Sequence, residues 1–303
     1  MNTILVVEDA PNERLGLCRL LERSGYSVKA AEDGVAALRQ IERENFDLLL
    51  VDVWMPKMSG LELLSRLPSE HRPKVLVLTG DDTAETLLGA LRENAYQCIT
   101  KPFDPKQLVQ LIRTVLESPK LADEVQVLSA DPHWVELRIR CDQQTVQRIQ
   151  DFLRQLESDL PTEVRQSVEL AFHELLMNAV EWGGHMNRDS KVQITFLRTD
   201  RLLLYRIADP GPGFKPSQLE HAAVGHDPDD PCAHSEVREE RGMRPGGFGI
   251  LMAQSLVDEL VYNEAHNEVV LLKYLHEPET SPKTHSQVPC GSTSGGNQNR
   301  EHP

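Results

Sequence analysis

Residues 169–184 read ELAFHELLMNAVEWGG. Leu170, Phe172, Leu175, Leu176, Ala179 and Val180 recur at helical spacing and supply a broad apolar surface, so the segment is predicted to be an amphipathic helix. Against that surface stand Glu174 and Asn178. Four positions apart, they lie one above the other on a single helical face. An amide oxygen is a hard, neutral ligand for magnesium, and a carboxylate can take a proton from a nucleophile, so the pair suits a magnesium–nucleotide site. Alone, E-x-x-x-N describes many solvated helix faces. Here two glycine-bearing segments follow it in order.

The first comes after two strand-like runs, Val192–Leu197 and Leu202–Ala208, joined by a turn at Arg198–Arg201. The second run leads into DPGPGF, residues 209–214. An aspartate at a strand end, set in an apolar pocket, can accept a hydrogen bond from an adenine amino group. Gly211 and Gly213 allow close backbone approach and positive φ. The same residues also suit an ordinary surface turn. Lys215 to Pro245 is long, charged and rich in Pro, Asp and His, the composition of a lid or an unstructured loop. Gly246-Gly247-Phe248-Gly249 then opens an apolar helix expected over Ile250–Leu260. A glycine-rich turn at a helix N-terminus offers free N–H groups and a positive dipole end to phosphates. Arg241 and Arg244 precede it, within reach of a terminal phosphate or simply solvated. Val269–Leu275 reads as a last strand. There is no G-x-x-x-x-G-K-[ST] and no G-x-G-x-x-G. H-E-x-x-H fails at Met177.

The first 120 residues have a different texture. Short apolar runs at Ile4–Val7, Ser27–Ala30, Leu48–Val51, Val75–Leu78 and Cys98–Thr100 alternate with helical patterns at Glu13–Glu22, Gly34–Glu44, Leu61–Leu67, Ala84–Glu93 and Pro105–Leu116. Such alternation implies a parallel sheet covered on both faces, with ligands gathering at the carboxyl ends of the strands. Those ends carry Glu8 and Asp9, then Asp52, Thr79 and Lys101. Three converging carboxylates repel one another unless a divalent cation joins them, and oxygen ligands favour magnesium. Lys101 and Thr79 would then hold the oxygens of a phosphoryl group on Asp52.

Composition narrows the field. With 303 residues there is room for two domains, each with its own core. A formal charge of −15 argues against nucleic acid or an anionic membrane as partner. No run of 18 apolar residues exists, and MNTILVVED has no basic stretch ahead of its apolar run, so a strand is expected there rather than a leader. Cysteines 18, 98, 141, 232 and 290 are scattered, the pattern of reduced thiols, and a cytoplasmic location is expected. Residues 121–132 read as a linker, Trp134–Cys141 as a strand and Gln143–Ser158 as a helix. Residues 277–303, almost free of apolar side chains, are expected to be disordered.

On VVED (6–9), DVWMPKMSG (52–60), LTG (78–80) and TKPF (100–103), residues 1–120 resemble a response-regulator receiver domain of flavodoxin-like α/β fold. The resemblance implies that Asp52 is the phosphoacceptor, Glu8 and Asp9 are metal ligands with it, and Thr79 and Lys101 are the switch pair. It also implies an upstream sensor histidine kinase. Receivers usually carry Tyr or Phe three residues before the lysine; here that place holds Cys98, and Tyr96 lies two residues earlier. On HELLMNAVEWGG (173–184), DPGPGF (209–214), GGFGILMAQSLVDEL (246–260) and YNEAHNEVVLLKYL (262–275), residues 133–276 resemble the GHKL, or Bergerat-type, ATPases. These have an α/β sandwich fold, and the closer likeness is to anti-sigma-factor serine kinases. Carried over by position, Glu174 is the catalytic base, Asn178 the Mg²⁺ ligand and Asp209 the adenine-binding residue, while Gly211, Gly213, Gly247 and Gly249 frame nucleotide and lid. Glu181-Trp182 departs from the pair usual there. His173-Glu174-Leu175 resembles a histidine-kinase phosphoacceptor box, but it shares a helix with Asn178, and His173 reads as a bystander.

The expectation is thus a regulator using ATP and Mg²⁺ to phosphorylate Ser or Thr of a STAS-type anti-sigma-factor antagonist, or to hold that antagonist or a sigma factor, gated by phosphorylation of Asp52. The resemblance further suggests a homodimer. A rival reading is a partner-switching anti-sigma factor that binds ATP without catalysis. Another is a hybrid histidine kinase, which the missing pair of phosphoacceptor helices disfavours.

Overall fold

A computed structural model describes residues 1–68, 72–81, 83–118, 125–215 and 247–275. The anticipated lid from 216 onward, with Arg241, Arg244 and Gly246, and the tail 277–303 lie outside the described residues.

Five strands, β1 (Thr3–Val7), β2 (Ser27–Ala31), β3 (Leu48–Asp52), β4 (Lys74–Thr79) and β5 (Gln97–Thr100), form an all-parallel sheet in the order β2-β1-β3-β4-β5. Alternation along the strands divides their side chains between two layers. Ile4, Val6, Leu48, Leu50, Leu76 and Leu78 pack with Leu17 and Leu21 of α1 (Pro11–Arg23) and Leu108, Ile112 and Val115 of α5 (Pro105–Glu117). Leu5, Val7, Leu49, Val51, Val75 and Val77 face α2 (Gly34–Ile41), α3 (Gly60–Ser65) and α4 (Ala84–Arg92). Burial on both faces is why these strands are continuously apolar. Four of the five helices begin at side-chain caps: Asp33, Ser59, Thr83 and Asp104 each accept a hydrogen bond from a first-turn amide, while α1 starts with Pro11 after Ala10.

The second layer system is an antiparallel sheet, ordered β10-β11-β9-β8-β7-β6, with helices on one side. Its strands are β6 (Val125–Asp131), β7 (Trp134–Arg140), β8 (Lys191–Arg198), β9 (Leu202–Ala208), β10 (Glu259–Tyr262) and β11 (Glu268–Tyr274). Every second residue is buried: Val135, Leu137 and Ile139, then Val192, Ile194 and Phe196, then Leu203, Tyr205 and Ile207, then Val269 and Leu271. That face meets α6 (Gln143–Leu156), α7 (Thr162–Asn178) and α8 (Gly249–Leu256). Tyr205 sits at its centre, with ring centroids 4.6 Å from Phe172 and 5.0 Å from Phe196, and its hydroxyl donates to the buried Glu157 carboxylate.

Three boundaries differ from the sequence reading. The linker expected over 121–132 contains β6, because Val125–Asp131 pairs with β7 and closes the sheet on that side. The helix expected to reach Leu260 ends at Leu256, and Glu259–Tyr262 joins β11 as an edge strand. Asp258 draws the chain there, its carboxylate accepting from the Tyr274 amide at 2.6 Å and from Lys273 Nζ at 3.1 Å. The helix bearing Glu174 changes character after Asn178, continuing through Ala179–Gly183 as a π-helical turn.

The two layer systems share one apolar core. Leu87, Leu88, Leu91, Ala95 and Cys98 of the parallel domain lie in the same cluster as Val125, Ala130 and the helices of the antiparallel one.

Candidate functional sites

The parallel sheet reverses strand order between β1 and β3, and the crevice at their carboxyl ends is where an open α/β sheet binds ligands. Glu8 and Asp52 are buried there and Asp9 is exposed. One carboxylate oxygen from each lies within 4.8 Å of the others. Lys101 spans the crevice. Its ammonium donates to Asp52 Oδ2 at 2.6 Å, Glu8 Oε2 at 2.7 Å and Glu13 Oε2 at 2.8 Å. Burial alone would lower the Lys101 pKa, but these carboxylates outweigh it and hold the ammonium above its ordinary range. Burial pushes the Glu8 carboxyl up, and the charge of Asp52 adds to this while Lys101 opposes it. Three carboxylates, Glu8, Glu13 and Asp52, pair with the ammonium, and the clustered oxygens of Glu8, Asp9 and Asp52 are a donor set that fits a divalent cation. Glu13, on the first turn of α1, was not singled out by the sequence, since nothing in a lone helical glutamate tells which way it points. Thr79 is fully buried at the end of β4; its hydroxyl donates to the Asp81 carbonyl at 2.7 Å and accepts from the Asp81 amide at 3.0 Å. The Asp52 Oδ1 accepts from the Trp54 amide at 3.2 Å, and the Trp54 side chain is 61% exposed beside it. Cys98 is buried in β5, its thiol pushed up to about 12 by desolvation. Tyr96 directly precedes β5.

In the second domain, burial along α7 and the turn beyond it runs in pairs. Ala171-Phe172, Leu175-Leu176 and Ala179-Val180 are buried, while His173-Glu174 and Met177-Asn178 are half-buried. Glu174 and Asn178 therefore share the stripe that faces away from the sheet. Gly249, the first residue of α8, lies against Glu174: a β-carbon there would fall 2.4 Å from Oε2. At the C-terminal end of this helical segment the π turn brings Gly183 against Asp209, where a β-carbon would fall 2.2 Å from the carboxylate. Glu174 and Asn178 thus share one helical face, and the Asp209 carboxylate lies at the end of the same helical segment, against Gly183. Gly183 was missed as a site residue because only the tertiary contact with Asp209 makes a side chain intolerable there.

The Asp209 carboxylate accepts from the Gly211 amide at 2.8 Å, and burial pushes its pKa up. Its backbone amide donates to the Asn267 carbonyl at 2.9 Å, and Asn267 Nδ2 donates to the Gly211 carbonyl at 3.0 Å. Gly213, at φ 82°, faces the Ala265 carbonyl, and the Phe214 amide donates to that same oxygen at 3.0 Å. The loop is therefore fastened to the turn before β11, which gives Gly211 and Gly213 a packing role beside any contact with a ligand. Gly247 has φ 100°, a backbone shape that L side chains rarely adopt. Glu181 and Trp182 fall in the π turn. His173 is not idle: its Nδ1 meets the side-chain amide of Gln150 on α6 at 2.8 Å. Among the described residues no helix is long and apolar enough to cross a membrane.

With this geometry in view, comparison with known proteins separates the chain into the same two parts. Residues 4–113 match the response regulator receiver domain, and residues 139–273 match the histidine kinase-like ATPase domain. Relatives include the nitrogen assimilation regulatory protein NtrX of Azorhizobium caulinodans, 34% identical over 154 residues, which are 48% of this chain and 34% of that protein. The transcriptional activator protein IrlR of Burkholderia pseudomallei is 34% identical over 42% of this chain and 56% of its own. The phosphate regulon transcriptional regulatory protein PhoB of Escherichia coli is 37% identical over 43% and 60%. The matches span between a third and three-fifths of those relatives' lengths.

Proposed function

We propose that this chain, a receiver domain followed by a histidine kinase-like ATPase domain, is a response regulator whose output is phosphorylation of serine or threonine on a protein partner. The observation that supports this most is one helical segment, α7 and the turn beyond it, on which Glu174 meets Gly249 at the start of α8 and Gly183 meets Asp209. In this reading Asp209 receives the adenine amino group, and Asn178 supplies an amide oxygen to Mg²⁺. The first turn of α8, entered through Gly247, offers its amides to the phosphates. Glu174 takes the proton of the attacking hydroxyl. When bound, Mg²⁺ would supply charge neutralisation at the transferred phosphoryl group, and the protein would contribute positioning. Arg241 and Arg244 precede α8 in the chain and are the expected lid cations, although they lie outside the described residues.

A sensor histidine kinase is the phosphodonor that a receiver implies, with Asp52 accepting beside Glu8 and Asp9. Phosphorylation adds about 1.5 to 2 negative charges beside Lys101 and Thr79, which shifts the receiver's surface and gates the ATPase domain. By resemblance the partner is a STAS-type antagonist of an anti-sigma factor, and the same surface can hold that antagonist or a sigma factor. The test is transfer from labelled ATP with Mg²⁺ to a candidate antagonist, with and without acetyl phosphate. An acid-stable product that depends on Glu174 supports the reading; equal labelling by wild type and Glu174→Ala overturns it.

A further inference from the structure

Helix α6 belongs to the ATPase domain, yet one of its sides is fastened to the receiver. Arg148 is buried in the seam between domains. Its Nη2 donates to the Ala95 carbonyl at 2.5 Å and its Nε to the Tyr96 carbonyl at 3.1 Å, while the guanidinium carbon lies 5.2 Å from the centre of the Tyr96 ring. Seven residues on, two turns along the same side, Gln155 Nε2 donates to the Cys98 carbonyl at 3.3 Å. The opposite side of α6 is fastened to α7. Gln150 is two residues from Arg148 and so about 200° around the helix from it. It is buried and bonds His173, the residue before Glu174.

The receiver end of this chain of contacts reaches the phosphoacceptor. Tyr96 opens and Lys101 closes the same short strand region, five residues apart, roughly 16 Å when extended. Lys101 bonds Asp52, so a new charge on Asp52 changes what that strand's far end is tied to. A cavity of about 180 Å³ lies in the seam, lined by Leu91, Tyr96, Cys98, Arg148, Phe152 and Gln155.

We propose that α6 is the coupling element between the two sites, with Arg148 as its receiver-side contact and Gln150 as its contact to the helix that carries Glu174. Arg148 and Gln150 are positioning residues, acting through the receiver carbonyls and through His173. This rests on the reading that phosphorylation of Asp52 gates the ATPase domain, and it names the route. The Cys98 found where receivers usually carry an aromatic fits the scheme, because the aromatic that meets the ATPase domain is Tyr96.

The experiment uses the full chain with acetyl phosphate and Mg²⁺ and no nucleotide, reading amide hydrogen exchange over residues 165–178. Phosphorylation is expected to change exchange in wild type by at least about fivefold, in the range of ordinary allosteric coupling. Arg148→Ala and Gln150→Leu should each reduce that change to under twofold while Asp52 still takes up phosphate. Tyr96→Phe, which keeps both the carbonyl and the ring face, should respond as wild type does. If Arg148→Ala is too unstable to study, Gln150→Leu on the far side of the helix decides alone. The proposal is overturned if residues 165–178 do not respond in wild type, or respond fully in either variant. ATP binding, measured in parallel by calorimetry, tests the nucleotide reading separately, because the exchange readout needs no nucleotide.

Discussion

Gly249 stands against Glu174 so closely that a β-carbon at 249 would lie 2.4 Å from the Glu174 carboxylate oxygen. The start of α8 and the proposed base are therefore built as one piece. Glu174→Gln should leave ATP binding within about threefold and cut phosphoryl transfer by roughly 10²–10⁴, the usual contribution of a general base. Gly249→Val should lose both, because the clash must move either the base or the phosphate-binding turn. Calorimetry with Mg²⁺-ATP and single-turnover transfer distinguish the two outcomes.

Asp209 is held by the Gly211 amide, with Gly183 packed over it. Asp209→Ala removes the acceptor proposed for adenine. A hydrogen bond to a charged group contributes about 1.5–3 kcal/mol, so ATP affinity should fall by roughly tenfold to a hundredfold. An ATP affinity unchanged by the substitution would place adenine elsewhere.

The receiver crevice sets Glu8, Glu13 and Asp52 against Lys101 and clusters Glu8, Asp9 and Asp52 as metal-type donors. Glu8→Gln should weaken Mg²⁺ binding at least about tenfold, measured by calorimetry on the full chain. Chelation by EDTA should stop phosphate uptake from acetyl phosphate, and Asp52→Asn should abolish uptake with metal present. Uptake that survives in Asp52→Asn would mean that the phosphoacceptor has been misassigned.

Glu157 is buried beside Tyr205, and desolvation pushes its carboxyl from 4.5 up to about 7, with the Tyr205 hydrogen bond opposing. The folded protein then holds a proton that the unfolded chain has lost. This stabilisation is complete below about pH 4.5 and disappears as pH rises through about 7. The shift corresponds to roughly 3 kcal/mol. Urea midpoints should fall between pH 5 and pH 8, and Glu157→Gln should flatten that part of the profile. An equally steep fall in the variant would assign the slope to another group.

Much of this molecule was legible from residue types alone. Apolar runs as uniform as Leu48–Val51 announce a buried parallel strand, and the acids, hydroxyl and lysine at strand ends announce the crevice. That Glu174 and Asn178 share a helical face was legible because helical spacing is local. Long-range pairing was not. Nothing within residues 121–132 states that Val125–Asp131 will find β7, and the apolar run after Gly249 does not show that Asp258 turns the chain back into the sheet. Glu13 and Gly183 became site residues only through partners distant in sequence, Lys101 and Asp209. His173 reads as a bystander because its box shares a helix with Asn178, and its structural partner, Gln150 on α6, is again distant in sequence.

The apolar core that runs unbroken from α4 into β6 and the helices beyond it makes the receiver and its output a single fused body rather than two beads on a string. Cutting the chain at the seam would bare Leu87, Leu91 and Val125 to water and leave Arg148 without its carbonyl acceptors. Neither half is a cassette that can be lifted into another architecture unaltered. Grafting a foreign receiver onto this output would require re-matching the whole mating face, not merely restoring a tether of the right length.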